Sequence, residues 1–179
     1  VDVAASDLPG NGTSGDPYKI SNVSELQAME DNLTASYELV SDIDASNTAQ
    51  WNNESGFDPI GSQASEFSGL LDGNNRTITG LTIDRPTEDN VGLFAQSSGT
   101  LLDISLKDTT LTGENFAGGL VGFNSGTITN VTAAVTVTGT NDVGGLVGSN
   151  NGGTIQRPTV SRTVTGSSRV GGVIGTNVN

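Results

Sequence analysis

The sequence predicts an all-β fold: a parallel β-solenoid with about three short strands per coil, closed at its N-terminal end by a cap holding one short α-helix. Three observations carry this. Val91-Gly-Leu-Phe, Ala117-Gly-Gly-Leu-Val-Gly, Val143-Gly-Gly-Leu-Val-Gly and Val170-Gly-Gly-Val-Ile-Gly start 26, 26 and 27 residues apart. A fixed period of that size marks a stacked repeat, in which each unit buries its apolar face only against its neighbours. Within a repeat, Val131, Ala133, Val135 and Val137 alternate with Thr132, Ala134, Thr136 and Thr138, the two-residue period of a strand. Hydrophobic residues make up 33% of the chain and aromatics 4%, so the core is a thin aliphatic ladder, not one aromatic cluster.

The elements follow in order. Residues 1–16 are polar and glycine-containing and read as an extended tail unless something holds them. Residues 17–61 do not repeat and form the cap. In it Pro17-Tyr-Lys-Ile20 reads as a short strand. Asn22 and Glu25 have capping-box spacing, and Leu26, Met29 and Leu33 follow at helical intervals, which predicts a helix over 23–33. Tyr37–Val40 and Ile43 return to strand. Residues 62–179 form the coils. The segment 99–113 matches 126–139 with one extra residue near Asp108, and 153–166 matches again. A slip inside a strand turns its apolar set outward, so the slips are expected at corners. The paired glycines permit tight corners and close backbone approach; no helix and lysine follow them as a phosphate loop requires. Pro158 takes the place of Val131 and removes a ladder donor, so the last coil is expected to be less regular or near an edge.

Gly12-Thr, Asp16-Pro-Tyr-Lys-Ile, Leu39-Val-Ser-Asp-Ile-Asp, Pro59-Ile-Gly61, Phe67-Ser-Gly-Leu-Leu-Asp-Gly-Asn-Asn-Arg-Thr-Ile and three Gly-Gly-Leu/Val-Val/Ile-Gly motifs occur in one order. In this they resemble the GLUG-repeat family. The resemblance implies a secreted or cell-surface protein, adhesin-like or protease-associated, without a shared catalytic site.

Net charge is −13, with only two lysines, Lys19 and Lys107. That balance argues against nucleic-acid binding, which needs a basic surface, and points to a high-salt source. No apolar run reaches the roughly 20 residues of a membrane span. The start at Val1, without a signal sequence, suits a processed or trimmed protein. The absence of cysteine excludes disulfides, and the absence of histidine excludes Ser-His-Asp catalysis and the common zinc sites. Residues 1–142 hold all 20 acids and four bases, a balance of −16; residues 143–179 hold Arg157, Arg162 and Arg169 and no acid, a balance of +3.

Functional expectations follow from these features. The last coil has no visible cover. A basic, uncapped C-terminal end meeting the acidic N-terminal end of another copy predicts a homopolymer stacked head to tail, a surface filament or sheath. Val1, Val3, Arg157, Arg162, Arg169, Val173 and Ile174 are its candidate interface residues. The alternative is an adhesin-type module of a larger surface protein that binds glycan or protein. A carbohydrate-active enzyme is the third reading, and no catalytic residue or cofactor is assigned. Asp42 and Asp44 are the candidates for calcium, as two carboxylates on one side of a strand. Asn-X-Ser/Thr sequons stand at Asn11, Asn22, Asn32, Asn53, Asn75 and Asn130. Asn11, Asn53 and Asn130 are the leading glycan acceptors, with Asn32 and Asn75 also candidates and Asn22 engaged as helix cap. Thr-X-Thr pairs such as Thr127/Thr129 read as the outward face of strands.

Overall fold

The computed structural model describes residues 3–178, which build a β-solenoid in which all pairing between named strands is parallel. The cap supplies β1 (Tyr18–Ile20), α1 (Val23–Gln27), β2 (Ser36–Leu39) and β3 (Ile43–Asp44). The first coil supplies β4 (Leu70–Asp72), β5 (Thr77–Thr79) and β6 (Thr82–Asp84), and the next β7 (Phe94–Ser97), β8 (Thr100–Leu102) and β9 (Ser105–Thr112). A full coil follows: β10 (Asn115–Gly118), β11 (Val121–Asn124), β12 (Thr127–Thr129) and β13 (Thr132–Thr138). The last strands are β14 (Asn141–Gly144), β15 (Val147–Asn151), β16 (Thr154–Gln156), β17 (Thr159–Ser161), β18 (Val164–Thr165), β19 (Ser168–Gly171) and β20 (Ile174–Val178).

Strands one repeat apart lie side by side. They run β1-β2-β4-β8-β12-β16 on one face, β3-β5-β9-β13-β17 on the second, β7-β11-β15-β20 on the third and β10-β14-β19 on the fourth. The full coil thus has four strands: the Gly-Gly motif bends between Gly118 and Val121 and divides into β10 and β11. Its apolar residues stack in register. Leu120 N–H donates to Leu146 O and Leu146 N–H to Val173 O, both at 2.9 Å. Leu93, Leu120 and Leu146 are fully buried. The fully buried aromatics lie toward the capped end, where Tyr37, Phe67 and Phe94 pack in a row with centroids 6.4 and 4.9 Å apart, while Phe116 and Phe123 meet edge to face, half-buried, in the full coil.

Two slips in the repeat are absorbed differently. One falls at a corner, where Asn151-Gly152-Gly153 takes one residue more than the equivalent Ser125-Gly126 turn. The other falls inside a strand, contrary to the expectation of a corner. Asp108 is a bulge in β9, opposite the Ala134/Val135 step of β13. Its backbone is left-handed (φ 53°), so the chain turns back and Leu106, Thr109 and Leu111 still point inward.

The cap departs from sequence expectation in two places. The α-helix stops at Gln27, and residues Ala28–Asp31 tighten into a 3-10 turn. The Leu33 carbonyl must reach the first coil, where it accepts from Ser68 and Gly69 N–H (2.9 and 3.0 Å), and a helix extended to residue 33 would carry it away. The capping pair is present: Glu25 N–H donates to Asn22 Oδ1 (3.0 Å), and Ser21 N–H donates to the Glu25 carboxylate (2.6 Å). The residues read as a tail are held against the cap. Ala5 N–H donates to Asp31 (3.0 Å), Ser36 N–H to Gly12 O (2.8 Å) and Lys19 N–H to Pro9 O (2.8 Å), and Leu8 is buried.

Candidate functional site

Two surfaces stand out: the last coil, and a groove beside the cap. The last coil forms one end of all four sheets, since β16, β17, β19 and β20 each pair on one side only. Among the described residues the outer edges of these four strands carry no further strand. Val173 and Ile174 are half-buried there, while Val170 and Val178 are exposed. The other end is covered. Residues 9–12 lie along β1 and β2, and α1 buries Val23 and Leu26 against the core. Val3 packs at this capped end, remote from the open coil in sequence, and Val1 lies outside the described residues.

The arginines do not form the expected basic face. Arg162 occupies the rung position of Val135 but has φ 89°, interrupts β17 and β18, and pairs with Asp108 two coils away. Arg169 makes a two-pronged pair with Asp142, Nε to Oδ1 at 2.5 Å and Nη2 to Oδ2 at 2.6 Å. Thr176 Oγ1 also donates to Asp142. Arg157 is exposed and alone of the three makes no ion pair among the described residues. Two of the three arginines of the last coils are therefore paired within the chain, on its surface, linking one coil to another.

Asp142 is almost fully buried, and the Arg169 guanidinium holds its carboxyl below the usual carboxylate range, with Thr176 helping and burial opposing. A depressed folded-state pKa stabilises above the ordinary value of 3.8 and is lost as pH falls through it. Arg169→Met is expected to lower stability at neutral pH, because it leaves the buried Asp142 carboxylate without its cation. It should also flatten the loss of stability below about pH 4. Acid titration followed by circular dichroism checks both.

A side-chain ladder and a column of left-handed corners run along the rod and were missed from sequence. Asn124 Nδ2 donates to Asn150 Oδ1 (2.7 Å), and Asn150 Nδ2 donates to Asn177 Oδ1 (2.8 Å) and Gly153 O (2.8 Å). The second is a column of left-handed corner residues, Asn90, Phe116, Asp142 and Arg169. The spacing of 26–27 residues was the available signal for each.

Asp42 and Asp44 do lie on the outer side of a strand edge with Ile43 buried between them. Each caps a backbone amide: Asp42 accepts from Thr77 N–H (2.9 Å) and Asp44 from Ser46 N–H (3.0 Å). Hydrogen bonds from Ser46 hold Asp44 below the usual range. Among the described residues no three acidic side chains group to hold a metal ion. Of the sequons, Asn11 is tied to Asp16 (2.8 Å), Asn32 to Thr34 (3.0 Å) and Asn130 to Asp103. Asn53 and Asn75 are exposed at left-handed turn apices (φ 56° each), and among the described residues their side-chain amides make no hydrogen bond that a glycan would break.

A groove at the cap of about 690 Å³ has Ser24, Glu30, Asp31, Asn47, Trp51 and Asp58 among its lining residues. A second hollow of about 520 Å³ adjoins it and shares Glu30 and Asp58. Desolvation of its carboxyl, then repulsion from Asp58 and Asp31, push Glu30 up to about 7 against the pull of Arg85, although the residue as a whole is exposed. Arg85 pairs with Asp58 at 2.8 Å and with Glu88 at 3.1 Å.

No family model matches the chain. Over 133 residues, 69% of its length, it is 44% identical to halomucin of Haloquadratum walsbyi, of which it covers 2%. Over 131 residues it is 35% identical to a protein of Evansella cellulosilytica provisionally named a Gly-rich membrane protein, of which it covers 15%. The chain thus spans a small fraction of the curated relatives it matches. The fold is similar to the crystal structure of a Bacteroides ovatus protein provisionally named an immunoglobulin A1 protease. The TM-score is 0.65 at 18% identity, over 94% of this chain and 64% of that one. At that identity the likeness is one of fold. Among the described residues no helix is long and apolar enough to cross a membrane.

Proposed function

We propose that this chain is a non-catalytic structural module of a cell-surface protein from a high-salt organism, and that it self-associates through its open coil. The observation that carries the reading is that, among the described residues, β16, β17, β19 and β20 each pair on one side only, while residues 9–12 and α1 cover the opposite side of the stack. Similarity to halomucin, the protein of a halophile, and to a protein named for a membrane supports the location. The net charge of −13 suits high salt, where the screening length is about 3 Å and acidic surfaces cease to repel one another at a distance.

The manner of association differs from a head-to-tail stack. Residues 9–12 and α1 cover the N-terminal rung, so an incoming open coil would find few free backbone partners there, and Arg162 and Arg169 are already paired. Two open coils facing each other satisfy both sets of edges, as edge strands do when they add to one another. Burial of Val170 and Val178 would accompany the pairing. Light scattering at molar salt tests it. A dimer that weakens on Ile174→Pro, which removes a donor from β20, is expected; a monomer at every concentration would overturn the self-association. Antibody labelling of intact cells of the source organism tests the location independently.

A further inference from the structure

We propose that the groove beside the cap is a binding site for a neutral oligosaccharide, with Trp51 as its stacking platform. The inference stands apart from self-association, because the groove lies at the capped end. Trp51 is the chain's single tryptophan. Its ring stacks on the fully buried Phe57, centroids 6.3 Å apart and planes 20° apart, so it is rigid before any ligand arrives. Yet Trp51 is only half-buried and lines the groove. An aromatic face set rigidly in a concave, wet surface offers an apolar plane beside polar groups.

The backbone that presents it is unusual. Asn52, Asn53 and Glu54 are three consecutive residues in the left-handed region (φ 50°, 56° and 71°). Such conformations cost energy and concentrate where a ligand or switch needs them. Here they are held by Asn52 Nδ2 donating to Gly56 O (2.9 Å) and by Gly56 N–H donating to Trp51 O (3.1 Å). The loop thereby turns the indole toward the groove while Phe57 enters the core.

The remaining lining is a mixture of neutral and acidic polar groups. Ser24 and Asn47 make no side-chain hydrogen bond among the described residues, which leaves a hydroxyl and an amide for sugar hydroxyls. Glu30 and Asp31 add acceptors at the rim. The volume falls within the roughly 300–1,000 Å³ of small-molecule sites. Asp31 disfavours uronates and sulfated sugars, Arg85 offsets the charge of Asp58, and Glu30, pushed up to about 7, offers a sugar hydroxyl either an acceptor or a donor, a lining that suits neutral sugars best. Stacking and neutral hydrogen bonds also survive the salt that screens recognition of a cation.

Trp51 is its own reporter. The intact chain is titrated with cellotriose, maltotriose and chitotriose while indole emission is followed, at low and at molar salt. A saturable shift is expected with at least one of them, with Kd on the order of 1 mM or tighter and little dependence on salt. Asn47→Ala, an exposed position that leaves the core untouched, should weaken binding at least about fivefold without altering the melting temperature. Calorimetry with Trp51→Ala should show no binding, and with Trp51→Phe partial binding. The assignment is overturned by flat emission with all three sugars, by an equal response to trigalacturonate or tetramethylammonium, or by unchanged affinity in Asn47→Ala. Self-association measured in parallel is unaffected in each case, so the two proposals fail separately.

Discussion

Gly148→Ala is expected to abolish cooperative folding of the C-terminal coils. A Cβ at this position would lie 2.4 Å from the Phe116 carbonyl carbon, 2.7 Å from Ala117 N and 2.7 Å from Gly122 O, all backbone atoms. Backbone of an adjacent coil cannot swing aside as the end of a side chain can. The same column repeats at Gly122 and Gly175, where the nearest backbone atom is also 2.4 Å away. The closing glycine of each Gly-Gly-Leu/Val-Val/Ile-Gly motif is therefore required by the approach of one coil to the next. Overpacking costs typically 1–3 kcal/mol where side chains yield; against main chain the loss should exceed about 3 kcal/mol. That is a large share of the 5–15 kcal/mol that ordinarily stabilises a domain. Urea denaturation should show a lower midpoint and a broadened or split transition. Gly15→Ala is the control, because nothing lies within 4 Å of its added Cβ.

Asn150→Ala is the second large effect. Asn150 is buried and its amide is the middle rung of the ladder, receiving one hydrogen bond and donating two. Alanine leaves part of the buried Asn124 amide without a partner and removes the donor to the half-buried Gly153 carbonyl. An unsatisfied buried group costs about 1–3 kcal/mol, so a loss of that order is expected. Asn150→Asp separates the hydrogen-bond account from simple packing. It preserves shape and the acceptor for Asn124, but loses both donors and buries a carboxyl against carbonyl oxygens. Its deficit should be larger at neutral pH, where the carboxyl must ionise or take up a proton, than near pH 4. Equal deficits at both pH values would argue that the ladder's donors contribute little.

The solenoid was legible in the sequence because its period is carried by glycine, and glycine tolerates no substitute where coils touch. The alternation in 131–138 gave the inward and outward faces of β13, and the capping pair at Asn22 and Glu25 located the start of α1. What was hidden shares one cause: it depends on neighbours a full coil away. Phe116 and Arg169 are not turn formers, so the column of left-handed corners does not announce itself in local composition. Asp108 looks like a corner residue and is instead a bulge, because Leu106 and Leu111 must both remain inside. The helix stops early because Leu33 is claimed by the first coil. The arginines read as a basic end because sequence gives their sum of charge; the structure gives their direction, back toward Asp108 and Asp142. The groove was illegible for a related reason. Asn47 and Trp51 share one 3-10 turn and its C-cap, but Glu30 comes from a separate turn, and no spacing rule joins it to them.

The account rests on coils stacked in parallel register, and a pair of engineered cysteines tests this in a chain that has none of its own. Thr127 and Thr154 are register partners in β12 and β16, and Ile128 and Ile155 point inward beside them. Register partners stand about 4.8 Å apart, within the Cα separation a disulfide allows, while a partner displaced by two residues stands beyond about 7 Å. Oxidation of the Thr127→Cys/Thr154→Cys chain should close an intramolecular disulfide without loss of structure, and Thr127→Cys/Gln156→Cys should stay reduced. Equal cross-linking of both pairs, or none in the first, would contradict the stacked coil.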